Sequence, residues 1–167
     1  DIENAKKMAL YSQAAAVIAS KAGVDGMVGG QSLDVYLTDK PMDKEQLDYI
    51  FRLKTGALIE AAFMAGGILA GCDEKTQGLL CKAGYNVGFA FQIKDDILDV
   101  TSTQEVLGKP VLSDERNNKT TYVTLYGLEK AEKDTYDMSK EAMGIIKSIG
   151  HNEYLEELIN MLIHRNK

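Results

Sequence analysis

Residues 84–100 read GYNVGFAFQIKDDILDV, and no other stretch of the chain gathers as many side chains able to do chemistry. At about 100° per residue, Gly84, Gly88, Gln92, Asp95 and Asp99 fall on one narrow stripe of a helix, with Asp96 at its edge. Both flanks are apolar: Val87, Phe91 and Leu98 on one side, Phe89, Ile93, Ile97 and Val100 on the other, with Lys94 the one charged exception. A helix that is apolar nearly all round is normally buried, so the acids are expected to face an internal cavity rather than bulk water. Like charges one turn apart repel by about 0.2–0.5 kcal/mol even when exposed. Burial adds a desolvation cost to each, so something positive must compensate. Hard divalent cations prefer oxygen ligands, and Mg²⁺ typically takes one or two carboxylates together with waters and phosphate oxygens. Asp95, Asp96 and Asp99 supply that chemistry in the pattern D-D-x-x-D. It is not an EF-hand, because the acids do not alternate along a loop.

Lys54 is a second anomaly. It falls within an apolar helical stripe beside Leu47, Phe51 and Leu58, where a lysine must snorkel, pair or serve a site. Thr55 and Gly56 follow it, and the glycine admits a close neighbour, either a ligand or a helix. Lys109 and Lys119 supply further cations in a polar loop, and Asp114 of that loop could extend the ligand set. Acids and lysines together suit a phosphate bridged by Mg²⁺, the metal on the carboxylates and the ammoniums on the remaining oxygens. His151 and His164 have no metal-ligand spacing. There is no Ser-His-Asp set and no nucleotide-binding P-loop.

Long helices must position these groups. Residues 2–38 read as one helix with a bend at Gly23, and Ala15, Ala19, Ala22, Gly26 and Gly30 form a small-residue stripe along it. Pro41 lies in a short connection. Asp43 then has the position of an N-cap, with Gln46 closing a capping box. A second helix is expected over 43–71, ended by Gly71, and a third over 75–102. The polar loop 103–118 follows. Helices resume at 119–126 and 128–148, Gly150 breaks the pattern, and an amphipathic helix covers 152–165. The fold class is all-α, a bundle of long helices.

With 167 residues, the chain is sized for one domain with a real core. A net charge of −6 argues against a nucleic-acid binder that relies on overall positive charge. Cys72 and Cys81 are the only cysteines and form no C-x-x-C, so a disulfide scaffold or zinc site is not expected and a reducing, cytoplasmic location is. No signal peptide and no transmembrane span is legible. Asp1 leads straight into a helical pattern with no initiator methionine, so an upstream portion is expected.

In this order along the chain, the motifs resemble the C-terminal part of a trans-isoprenyl diphosphate synthase of the farnesyl/geranyl type. GMVGGQSLD (26–34) resembles the family's G-x-x-G-G-Q-x-x-D segment, and KTG (54–56) its lysine motif. FQIKDDILD (91–99) resembles its second aspartate-rich motif, and GKPVLSDERNNKTTY (108–122) the phosphate-binding loop that follows. HRNK (164–167) resembles a family C-terminus. The resemblance implies the C-terminal part of the isoprenoid synthase fold over 1–167. It implies Mg²⁺-dependent condensation of an allylic diphosphate with isopentenyl diphosphate, and a homodimer. It makes Asp95, Asp96 and Asp99 the metal residues. Lys54, Thr55, Gln92, Lys109 and Lys119 become the diphosphate residues, and Lys54, Asp95 and Lys109 the catalytic ones.

The family uses two aspartate-rich motifs, and Asp95–Asp96 is the only Asp-Asp pair here. The chain alone is therefore expected to be inactive. Two other readings share these residues: a class I terpene cyclase or squalene-type synthase, and a non-catalytic helical subunit of a prenyl synthase.

Overall fold

A computed structural model describes residues 1–102 and 120–165. Among the described residues the chain is helical, with no strand. The elements are α1 (Ile2–Ala22), α2 (Met27–Tyr36), α3 (Lys44–Ile50), a π-helix (Phe51–Gly56), α4 (Ala57–Leu69), α5 (Glu74–Thr101), α6 (Tyr122–Tyr126), α7 (Leu128–Ile149) and α8 (Glu153–His164). None of these helices is long and apolar enough to cross a membrane.

The N-terminal helix differs from the expectation. It is two helices, because the chain leaves helical geometry at Gly23 (φ −73°, ψ −161°) and turns before α2. Gly26 is needed in that turn, since a Cβ there would lie 1.9 Å from the Lys21 carbonyl oxygen. The small-residue stripe is therefore interrupted: Ala15 and Ala19 are exposed, whereas Ala14, Gly26 and Gly30 are buried. Instead, a charge pair fastens α1 to α4. The Lys21 ammonium bonds the carboxylate of Glu60, which is buried.

The second expected helix begins as the sequence dictates. Asp43 and Gln46 form both halves of the capping box. The π-helix then inserts before α4, and this resets the helical register. Ala57, Glu60 and Ala61 face inward, while Leu58, expected in the apolar stripe, is exposed, as is Leu69. Gly71, at φ +74°, closes the segment.

Helix α5 is the central element, packed by α4, the π-helix, α6, α7 and α8. Asp73 caps it by accepting the Thr76 N–H at 2.8 Å. One core cluster joins Leu47, Ile50, Phe51, Phe89, Ile93, Ile97 and Tyr122. A second joins Leu80, Val87, Ala142, Ile146 and Ile159. Each fully buried aliphatic side chain of this kind contributes about 1.5–3 kcal/mol. Phe51 and Phe89 meet edge to face with ring centroids 5.6 Å apart, so the π-helix and α5 share an aromatic contact beneath the acidic stripe. In α8, Ile159 is buried and Tyr154 is exposed.

Candidate functional site

The π-helix lies directly against α5. A Cβ on Gly88 would fall 2.7 Å from Gly56 Cα, and one on Gly84 would fall 2.8 Å from Glu60 Cα. At Gly56 and Gly88 the π-helix and α5 touch backbone to backbone, and at Gly84 the Glu60 backbone of α4 comes equally close. This corrects the expectation that the whole stripe faces a cavity: its first two turns, Gly84 and Gly88, are a helix–helix contact. It also settles the two options for Gly56 in favour of a neighbouring helix.

One turn further along, the same contact becomes polar. Thr55 donates its hydroxyl to Gln92 Oε1 at 2.6 Å. Lys54 precedes Thr55 and is half-buried. Its ammonium pairs with Asp34 Oδ2 at 2.6 Å, which answers how a lysine fits at this position. Asp34 stands at the end of the GMVGGQSLD segment on α2. That segment was legible in the sequence, but Asp34's partner 20 residues away was not.

The three acids of α5 have different surroundings. Asp95 is half-exposed, and its Oδ1 bonds the Arg165 guanidinium. Arg165 also donates to the Phe91 carbonyl at 3.2 Å, and its guanidinium lies 3.8 Å from the centre of the Phe91 ring. No periodicity could have found Arg165, because it sits 70 residues beyond its carboxylate partner. Asp96 is buried and directs Oδ2 to the backbone N–H of Tyr122 at 2.6 Å. That N–H belongs to the first residue of α6 and has no partner inside the helix, so the carboxylate satisfies it and meets the positive end of the helix. Asp99 is also buried, at 2% exposure.

Tyr122 passes its own hydroxyl to Asp134 Oδ2 at 2.6 Å, and Lys130 donates to the same oxygen at 2.6 Å. Burial, with the Asp134 contact, pushes the Tyr122 phenol far above its usual range. Burial pushes Asp134 up, but the hydrogen bonds from Lys130 and Tyr122 outweigh it and hold the carboxyl below its usual range. The structure thus joins Thr55, next to Lys54 in the chain, to Gln92, which lies about one turn before the acids of α5. Lys109, Asp114 and Lys119 lie outside the described residues.

The donor set consists of hard oxygens. Carboxylate oxygens are the donors that hard divalent ions prefer, and Asp95 already pairs with one cationic group, Arg165. Among the described residues no three metal-ligating side chains converge to cage an ion unaided. An ion here would depend on waters and ligand oxygens for the rest of its shell.

Comparison with known proteins places the chain. The sequence model of the polyprenyl synthetase family matches residues 3–162. A farnesyl diphosphate synthase of Micrococcus luteus is 40% identical over 152 residues, covering 90% of this chain and 52% of the relative. That of Escherichia coli (strain K12) is 40% identical over 156 residues, with the same two shares of 90% and 52%. Among solved structures, a geranyltransferase from Helicobacter pylori, complexed with magnesium and isoprenyl diphosphate, superposes with a TM-score of 0.74 at 31% identity. The match covers 92% of this chain and 51% of that one. An FPP/GFPP synthase from Zymomonas mobilis gives a TM-score of 0.77 at 27% identity, with shares of 92% and 51%. The chain spans about half the length of the curated relatives it matches. With the fold, the paired motifs and nearly the whole chain matched, this protein belongs to the polyprenyl synthetase family.

Proposed function

We propose that the chain forms the C-terminal portion of a trans-prenyltransferase catalytic domain that condenses an allylic diphosphate with isopentenyl diphosphate and releases pyrophosphate. The observation that carries this reading is the Thr55–Gln92 hydrogen bond, which holds the lysine motif and the aspartate motif side by side on two packed helices. The remaining length of the relatives corresponds to a second half of the domain, and turnover belongs to the complete polypeptide.

The chain's own residues do four things in this reading. Lys54 places its ammonium at the diphosphate, where charge builds as the allylic C–O bond breaks; Lys109 and Lys119 are assigned the same task. Thr55 and Gln92 fix the spacing between that ammonium and the acids of α5. Phe89, Ile93 and Ile97 keep the underside of the acids dry, so that each charge interaction there is stronger than in water. In this reading Asp95, Asp96 and Asp99 are the residues that would hold Mg²⁺. When bound, the ion supplies positive charge that stabilises the diphosphate as a leaving group. Condensation is completed by attack of the isopentenyl double bond and loss of a proton, for which the released pyrophosphate is the assigned base. The homodimer and the cytoplasmic location belong to the same reading; Cys72 and Cys81 are both unpaired thiols, the state that a reducing compartment maintains.

The test is product analysis on the complete polypeptide with Mg²⁺, an allylic diphosphate and labelled isopentenyl diphosphate. A longer prenyl diphosphate made only when both substrates are present supports the reading. Consumption of the allylic diphosphate alone would assign a cyclase. No consumption by the folded, complete polypeptide would assign a non-catalytic subunit.

A further inference from the structure

The G-x-x-G-G-Q-x-x-D segment has no role in the chemistry above, yet the structure gives it a specific contact. Gly30 is buried against the π-helix, where a Cβ would lie 2.3 Å from the Lys54 backbone nitrogen and 2.8 Å from Leu53 Cβ. No side chain fits, so α2 approaches the Lys54 backbone as closely as glycine permits. Asp34 lies one helical turn beyond Gly30, on the same face of α2. The contact that requires Gly30 therefore also delivers a carboxylate to the Lys54 ammonium, at 2.6 Å. The pair is only partly open to water, with 37% of the Lys54 side chain and 18% of the Asp34 side chain exposed.

We propose that Asp34 is a positioning residue that holds the Lys54 ammonium ready for a diphosphate; this rests on the prenyl-transfer reading of the site. A lysine has four rotatable side-chain bonds, and ordering them when a ligand arrives weakens binding. Asp34 orders them beforehand. The ammonium has three N–H donors, so one stays on Asp34 while two turn to phosphate oxygens. An arrangement in which Gly30 brings the backbones together and Asp34 fixes the side chain gives both halves of the segment one physical purpose.

The experiment measures binding of Mg²⁺-inorganic pyrophosphate by calorimetry on the complete polypeptide, with kcat and KM for the allylic substrate. The variants are Asp34→Asn, Asp34→Glu, Lys54→Ala and the double variant Asp34→Asn/Lys54→Ala, each checked for native melting behaviour. Asp34→Asn is expected to weaken pyrophosphate binding about tenfold, as expected for losing a charge-assisted contact. Asp34→Glu restores most of it, and should the asparagine variant melt early, this carboxylate-retaining variant carries the comparison. In the Lys54→Ala background, Asp34→Asn should add nothing, because its only route to the ligand is gone. Wild-type affinity in Asp34→Asn, no rescue by glutamate, or effects that multiply in the double variant would overturn the proposal. Unchanged affinity in Lys54→Ala would overturn the prenyl-transfer reading and this proposal together, whereas failure of Asp34→Asn alone leaves that reading standing.

Discussion

The Thr55 hydroxyl and the Gln92 side-chain oxygen are 2.6 Å apart, and this bond ties the turn carrying Lys54 to the turn carrying Asp95 and Asp96. Below it, Gly56 meets Gly88 backbone to backbone, so the bond is the first polar rung above a seam of glycine. Replacing Thr55 with valine keeps the shape and removes the donor. The Gln92 oxygen would then be left without its partner in a half-buried setting, a loss of about 1–3 kcal/mol. Urea unfolding should register that loss, and the KM for the allylic diphosphate should rise in the complete polypeptide.

The glycine seam makes its own prediction. Gly88→Ala must push α5 away from the π-helix, because its Cβ would meet Gly56 Cα at 2.7 Å. A destabilisation of about 1–3 kcal/mol is expected, as for overpacking elsewhere. Gly78→Ala in the same helix meets nothing within 4 Å and should hold or raise stability by up to about 1 kcal/mol. Thermal melts of the two variants should move in opposite directions or, at the least, differ clearly.

These contacts also show which parts of the protein are local in sequence. The capping box at Asp43 and Gln46 and the extent of α5 follow from nearest neighbours in the chain, and they were legible. The π-helix was not, because a pattern read at 3.6 residues per turn assumes the register that the π-helix resets; Leu58 was therefore placed inside and is outside. The break at Gly23–Gly26 was hidden in a run of small residues that fits a bend as well as a turn. Arg165 on Asp95 and Asp34 on Lys54 depend on tertiary contacts, and no spacing encodes them.

The Tyr122–Asp134 pair should shape stability at both ends of the pH scale. The folded phenol is raised above its usual value of about 10, so the unfolded chain loses that proton first and stability falls as pH rises beyond that value. The folded Asp134 carboxyl is lowered, so its contribution is present above the unfolded value near 3.9 and is lost as pH falls through the folded one. Tyr122→Phe should flatten the alkaline arm measured by urea midpoints between about pH 9 and 11. Tyr85 and Cys81, both raised chiefly by burial, will keep a residual slope. An unchanged slope in Tyr122→Phe would contradict the assignment.

If Asp95 holds Mg²⁺ as proposed, Arg165 and the ion would compete for its carboxylate. Arg165→Gln should therefore tighten Mg²⁺ binding in the absence of diphosphate by about two- to fivefold, the scale of a partly exposed ion pair. Calorimetric titration with Mg²⁺ alone reads this directly. Weaker binding in the variant would show that Arg165 supports the ion instead of opposing it.

The expectations about binding and turnover depend on the acids of α5 and Lys54 serving one ligand. Titrating the complete polypeptide with inorganic pyrophosphate, with and without Mg²⁺, addresses that directly through the variants Asp95→Asn and Lys54→Ala. Pyrophosphate should bind only with the metal present, and each variant should weaken it by about tenfold or more, the scale of a charge-assisted contact. Binding that ignores Mg²⁺, or that is untouched by both substitutions, would contradict the account.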